Sequence, residues 1–306
     1  MMYQLSVIIP ILNEGENILP LLNDLQQYIP VDTEIIFVDD GSNDNSMLTL
    51  LEVSKSNSRV KCISLSRNFG HQNALMAGIE HAKGQYIITM DGDGQHPPFL
   101  IPDILTRLNS GFDVVHTSRT STVKIGWAKK TFTKYFYKFI NLISDTKIEA
   151  NQSDFKGFNN KVLQSLLQFK ERDIFLRGIF SWIGFKSTCL PFAAPARQFG
   201  KTKYSRSKMF GLALSATTSF SFKPLRITLL IGVMVSILAF GFGIFAFIAY
   251  ANGNTVPGWA SIIIATMFLG GVQLLATGLV GEYIASLFTE SKKRPRYVID
   301  TTINMP

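Results

Sequence analysis

The chain has 306 residues, a net charge of +8, 46% hydrophobic residues and two cysteines, with a positive mean hydropathy of +0.18. That length holds one large domain or two ordinary ones, and the apolar content supports a packed core. Cys62 and Cys189 stand too far apart and too few to suggest a disulfide framework or a zinc site, which fits a reducing compartment, and the basic residues cluster beside aromatic and apolar ones, which favours anionic lipid over nucleic acid.

Residues 4 to 118 alternate between strand-like and helix-like segments, the pattern of a mostly parallel sheet with helices on both faces. Strands are predicted near Ser6–Ile9, Glu34–Val38, Val60–Ser64, Tyr86–Thr89 and Asp113–Val115. The run Leu5 to Leu12 is short for a secretory leader, lacks a basic start and passes straight into Asn13 and Glu14. Ile18, Leu21, Leu22 and Leu25 give the first helix its apolar stripe, Gly41 to Asp44 cap the second, and Asn68 to His71 lead into the third.

In an open parallel sheet, ligands gather beyond the carboxyl ends of the strands, where loops and helix N-termini converge. Asn13 and Glu14 follow the first strand, Asp39 and Asp40 the second, Arg67 and Asn68 the third, Asp91 and Asp93 the fourth, and Arg119 the fifth. One such residue is ordinarily a cap or turn residue; five consecutive strand ends carrying them point to a site. The chain is organised around Asp91-Gly92-Asp93-Gly94-Gln95, where two carboxylates one residue apart suit a shared hard divalent cation and the glycines allow a sharp turn. Neither a G-x-G-x-x-G after the first strand nor a P-loop is present.

Between Val123 and Ile143, Phe132, Tyr135, Phe136, Phe139, Leu142 and Ile143 share one helical face with lysines beside them, as an interfacial amphipathic helix would. Ser207 to Phe222 suggests a second. Ile227 to Tyr250 and Ala260 to Phe288 are long enough to cross a bilayer as a hairpin. Lys208, Lys223 and Arg226 precede the first run and Lys292, Lys293, Arg294 and Arg296 follow the second, while the loop between is uncharged. That asymmetry places both termini and the soluble part on the cytoplasmic side of the inner membrane. Gly241, Gly243, Gly270 and Gly271 would permit close helix contacts, and with them a homo-oligomer.

Val7-Ile8-Ile9-Pro10 with Asn13-Glu14, Val38-Asp39-Asp40-Gly41-Ser42 and Asp91-Gly92-Asp93-Gly94-Gln95 together resemble the nucleotide-sugar-binding half of family 2 glycosyltransferases. Ser153-Asp154-Phe155-Lys156 is similar to the family segment with an acid beside the reacting centre. Arg197-Gln198-Phe199-Gly200-Lys201-Thr202-Lys203-Tyr204 resembles the signature of the polyisoprenyl-phosphate branch, and the motif of processive polysaccharide synthases is missing. The resemblance implies a GT-A-type fold, a nucleoside pocket lined by Pro10, Asn13 and Glu14, a base or ribose contact from Asp40, and a diphosphate site with Mg2+ or Mn2+ at Asp91, Asp93 and Gln95. It implies that Arg119 and Lys130 hold the acceptor phosphate, and makes Asp154 either a base or an orienter. Arg197, Lys203 and Tyr204 join the acceptor side, since guanidinium and ammonium groups suit phosphate oxygens.

The resulting expectation has four parts: residues 1–122 as the donor-binding half, 123–222 as the acceptor part with its interfacial helices, 223–290 as two spans, and 291–306 as a basic tail. The expected activity is inverting transfer of one hexose, UDP-glucose favoured as donor, to polyprenyl phosphate at the membrane, without nucleic-acid partners. GDP-mannose is the competing donor. A non-catalytic membrane scaffold and a transferase acting on a water-soluble glycan are the rival readings.

Overall fold

The structure is a computed structural model that describes residues 3–120, 152–172, 174–193, 223–252 and 258–305. Both expected interfacial helices, together with Lys130, Arg197, Lys203 and Tyr204, lie outside the described residues. Two compact units emerge, one holding the sheet and one holding two long helices.

In the first unit, strands β1 (Tyr3–Ile11), β2 (Thr33–Asp39), β3 (Val60–Leu65), β4 (Gly84–Thr89), β5 (Val114–Thr120), β6 (Gln152–Asn159), β7 (Ser187–Ala193) and β8 (Ile299–Ile303) form one sheet in the order β7-β5-β6-β4-β1-β2-β3-β8. Pairing is parallel from β4 through β1 and β2 to β3 and between β5 and β7; β6 runs antiparallel to β4 and β5, and β8 antiparallel to β3. The mostly parallel mixed sheet with covering helices is therefore as expected. Val7, Ile8, Ile9 and Ile35 to Val38 are fully buried, because in these strands both faces are covered and a continuous apolar run is required.

The helices of this unit are α1 (Gly15–Leu25), α2 (Ser46–Ser56), α3 (His71–His81), α4 (Ile101–Asn109), α5 (Asn160–Leu166) and α6 (Leu176–Trp182). All four stripe residues of α1, Ile18, Leu21, Leu22 and Leu25, are buried. At the amino ends of the central strands Glu34 is wholly buried and satisfied: Oε1 accepts from Ser6 Oγ and from the Lys83 backbone N–H at 2.6 Å, while Oε2 pairs with Lys61. One carboxylate thus ties β1, β2, β3 and the entry to β4.

The stretch expected to be a tail is a folded part of this unit. Ile299–Ile303 adds β8 to the sheet edge. Just before it, Arg296 donates to the backbone carbonyls of Phe169 and Glu171 and pairs with Glu80 at 3.2 Å, and the Tyr297 hydroxyl also donates to Glu80. Asn304 Nδ2 donates to the carbonyls of Ser54 and Val60 at 2.8 and 2.9 Å. Most basic residues of the stretch precede this anchor, so charge alone hid a short edge strand.

The second unit contains α7 (Lys223–Ala251) and α8 (Trp259–Ser291). Thr228–Ala249 and Ile264–Ser291 are long and apolar enough to cross a membrane. Their large side chains are exposed, Phe240 at 73% and Leu275 at 77%, the reverse of a core helix in a soluble protein.

Candidate active site

The loops leaving β1, β2 and β3 are stitched together by side chains that accept backbone N–H groups. Asn13 adopts a positive φ of 53°; its Oδ1 accepts from Asn43 N at 2.7 Å, and its own N–H donates to Ser42 Oγ at 2.8 Å. Asp44 accepts from Gly15 N and Ser46 N, and Glu14 accepts from Asn17 Nδ2 at 2.6 Å. The two carboxylate oxygens of Asp40 accept from Phe69 N at 2.7 Å and Gly70 N at 2.9 Å, so this residue holds the β3 loop in place. Burial pushes the carboxyls of Asp39 and Asp40 up from their ordinary value despite these bonds. Pro10 is buried in β1 opposite Val38.

After β4 the chain turns through Asp91 to Gln95. Gly92 is required by close packing, since a Cβ there would lie 2.7 Å from Ile11 Cγ2, and Gly94 has a positive φ of 72°. Two histidines bracket Asp91. His71, at the start of α3, meets Oδ1 at 2.8 Å, and His96 Nε2 lies 3.6 Å from Oδ2. The Asp91 backbone N–H meets His96 Nδ1 at 2.8 Å, and Ser153 Oγ and Arg119 Nη2 lie 2.7 and 3.2 Å from its Nε2. His96 also stacks on Phe155 with centroids 5.3 Å apart. Burial opposes charge on Asp91, but His96, His71 and Arg119 outweigh it and hold the carboxyl well below the usual range. Burial likewise opposes the His71 cation, and Asp91 overcomes it, raising the imidazole to about 9. Asp93 Oδ1 accepts from Gln95 N at 3.1 Å, and Arg119 donates to Gln95 Oε1 at 3.0 Å.

On β6, alternation puts Asp154, Lys156 and Phe158 on one face. Arg177 of α6 clamps Asp154 in a two-pronged ion pair, Nε to Oδ1 and Nη2 to Oδ2, both 2.8 Å. Burial would raise the Asp154 carboxyl, yet Arg177 and Lys156 keep it below its ordinary value. Lys156 is 2% exposed, its Nζ has no hydrogen-bond partner among the described residues, and it lies 4.5 Å from the centroid of the Phe180 ring. Its register partner on β5, His116, is also buried, with Nδ1 equally unpartnered among the described residues.

Burial lowers Lys156 from 10.5 to about 8, so the folded state sheds its proton before the unfolded state does. The Lys156 contribution to stability is therefore expected to rise with pH between those two values, where the unfolded chain binds more protons at this group. Lys156→Met should melt at a higher temperature than wild type at pH 7 and lose that alkaline rise. Thermal unfolding of both proteins from pH 7 to pH 11 measures this as their difference, because the His71 contribution falls over part of the same range; a difference that does not change with pH would mean that the buried lysine holds its proton as tightly as in the unfolded chain.

The structure thus gathers Asn13, Glu14, Asp40, Asp91, Asp93, Gln95, Arg119 and Asp154 at the same end of the sheet, by the carboxyl ends of β1, β2, β4 and β5 and the amino end of β6. Sequence reasoning missed His71, His96 and Arg177. A histidine immediately after the D-x-D stretch was the visible hint for His96, whereas nothing local marks Arg177.

Asp91 and Asp93 are oxygen donors on a tight turn, a set that fits a hard divalent cation whose other positions come from phosphate and water. Among the described residues no group of three or more His, Cys, Asp or Glu side chains is assembled to hold an ion unaided.

Comparison with known proteins gives two family matches: glycosyl transferase family 2 over residues 6–167 and the GtrB C-terminal hairpin over residues 223–287. A glycosyltransferase of Synechocystis described as uncharacterized is 37% identical over 98% of this chain and 95% of its own. The bactoprenol glucosyl transferase of Shigella phage SfV is 36% identical over 97% of this chain and 98% of its own. The prophage bactoprenol glucosyl transferase homolog of Escherichia coli K12 matches at 36% over the same shares.

Proposed function

We propose that this chain, which belongs to glycosyl transferase family 2, transfers one hexose from a nucleotide diphosphate sugar to polyprenyl phosphate, with inversion and with UDP-glucose as the favoured donor. One observation carries the reading. The turn of Asp91, Asp93 and Gln95 lies beside Arg119, in a chain that also has two membrane-length helices and resembles bactoprenol glucosyl transferases almost end to end.

In this reading Pro10, Asn13, Glu14 and Asp40 shape the nucleoside bay, and Arg119 steadies Gln95 while facing the phosphates. A lipid phosphate monoester is largely a dianion at neutral pH, so the acceptor needs positioning more than deprotonation. Lys130, Arg197, Lys203 and Tyr204 supply that positioning in our assignment. Asp91 and Asp93 would hold Mg2+ or Mn2+, which would draw off charge developing on the leaving diphosphate. The charge asymmetry about the two apolar runs puts the sheet unit on the cytoplasmic face.

The test is incubation of detergent-solubilised protein with polyprenyl phosphate, Mn2+ or Mg2+, and a panel of labelled UDP- and GDP-sugars. Lipid-linked glucose from UDP-glucose is expected, lost on chelation and restored by the metal. GDP-mannose as the better donor would correct the sugar; no lipid-linked product from any donor would end the reading.

A further inference from the structure

Two acidic motifs that stand far apart in the chain meet at His71. The oxygens of Asp40, at the end of β2, accept from the N–H groups of Phe69 and Gly70, and Gly70 turns through a positive φ of 95° into α3. The backbone of His71, the first residue of that helix, is therefore set from the β2 side. Its side chain is braced from another. Gln72 Oε1 accepts from Leu176 N at the start of α6, at 3.1 Å, which turns the other half of the amide, Nε2, toward His71 Nδ1 at 3.4 Å. The opposite ring nitrogen, Nε2, meets Asp91 Oδ1 at 2.8 Å. Asp91 is held ionised, and an ionised carboxylate only accepts, so the imidazole is the donor in this bond. Asp91 Oδ2 stands 3.6 Å from His96 Nε2, beyond hydrogen-bond length, and retains lone pairs for a cation.

We propose that His71 is a positioning residue for the divalent cation at Asp91 and Asp93: it holds one oxygen of Asp91, and Gln72 braces it against α6. The inference rests on the transferase reading above and on its metal. A carboxylate free to rotate has to be ordered by the ion that binds it, whereas one already held by a hydrogen bond does not. Groups that hold a ligand in this way are worth about 10- to 100-fold in metal affinity.

The experiment is calorimetric binding of UDP to the full chain in detergent, once with chelator and once at a fixed, subsaturating Mn2+ concentration. It compares wild type with H71A, H71N, H71Q and Q72A. Melting curves establish which variants fold, and H71N, too short to reach Asp91, carries the test should H71A not fold. The readout is the factor by which Mn2+ tightens UDP. H71A and H71N are expected to lose most of that tightening, equivalent to about tenfold in Mn2+ affinity, with metal-free UDP binding within about twofold of wild type. H71Q, whose Nε2 can replace the imidazole donor, should recover part of the loss, and Q72A should show a smaller one of about threefold. In turnover the Mn2+ concentration for half-activation should rise about tenfold in H71A while kcat at saturating Mn2+ stays within about threefold, a split that a merely structural role would not produce. Folded H71A or H71N that Mn2+ tightens as it does wild type overturns this inference alone. So does H71Q no better than H71A, or an equal loss with and without the metal, which marks a general collapse of the loop. Q72A indistinguishable from wild type removes the brace. Wild type whose UDP binding Mn2+ does not tighten overturns the inference together with the metal of the transferase reading.

Discussion

Replacing Asp93 with alanine is expected to abolish sugar transfer, with kcat falling on the order of a thousandfold or more, because the charge on a departing diphosphate would lose its principal counter-charge. The fold should survive. Asp93 caps a local turn through Gln95 N, whereas the turn is also fastened by the Asp91 N–H to His96 bond and by the Arg119 donation to Gln95. The variant should melt within a few degrees of wild type, and Mn2+ should no longer tighten UDP binding. Initial rates at saturating metal, alongside calorimetry of UDP with and without Mn2+, check both statements. Retention of more than a tenth of wild-type turnover would remove Asp93 from the metal site. Asp91→Asn should be nearly as damaging for a further reason, since it leaves His71 and His96 without the carboxylate that organises them.

Glu34→Ala is expected to be the most destabilising single change in the sheet unit, costing about 3–5 kcal/mol, the range for breaking a buried ion pair by removing one partner. Three groups lose their acceptor together: the Lys61 ammonium, the Ser6 hydroxyl and the Lys83 N–H. Lys61 is only 5% exposed, so water is slow to compensate. Denaturant unfolding in detergent should show the loss, and Glu34→Leu combined with Lys61→Met should recover much of it, since an apolar pair carries no desolvation cost. A drop below about 1 kcal/mol for the alanine variant would mean that water reaches Lys61 once the carboxylate is gone.

Much of this fold was legible because its signals are local. Ile8, Ile36, Ile63 and Ile88 sit in apolar runs bounded by polar turns, and each became a buried strand of the sheet. The apolar runs near residues 228–249 and 264–291 needed only length and composition. The D-x-D turn was visible because both carboxylates and both glycines lie within four residues. What stayed hidden depends on contacts between distant segments. Arg177 lies 23 residues from Asp154, and in sequence it reads as an ordinary surface cation near the start of a short helix. His71 reads as a helix-opening residue until α3 brings it to Asp91. Asp40 illustrates a different limit: its place at a strand end was readable, but the capture of both oxygens by Phe69 and Gly70 N–H groups was not. Ile299–Ile303 is five residues with mostly exposed side chains, so pairing with β3, not burial, makes it a strand, and pairing leaves little trace in composition.

That edge strand has a topological consequence. β8 follows both long helices in the chain and β1 precedes them, yet the two belong to one sheet. A single sheet occupies a single compartment. If the chain crosses a bilayer between β1 and β8, the number of passages would have to be even, a condition set by backbone hydrogen bonds in the sheet and independent of where the lysines and arginines fall.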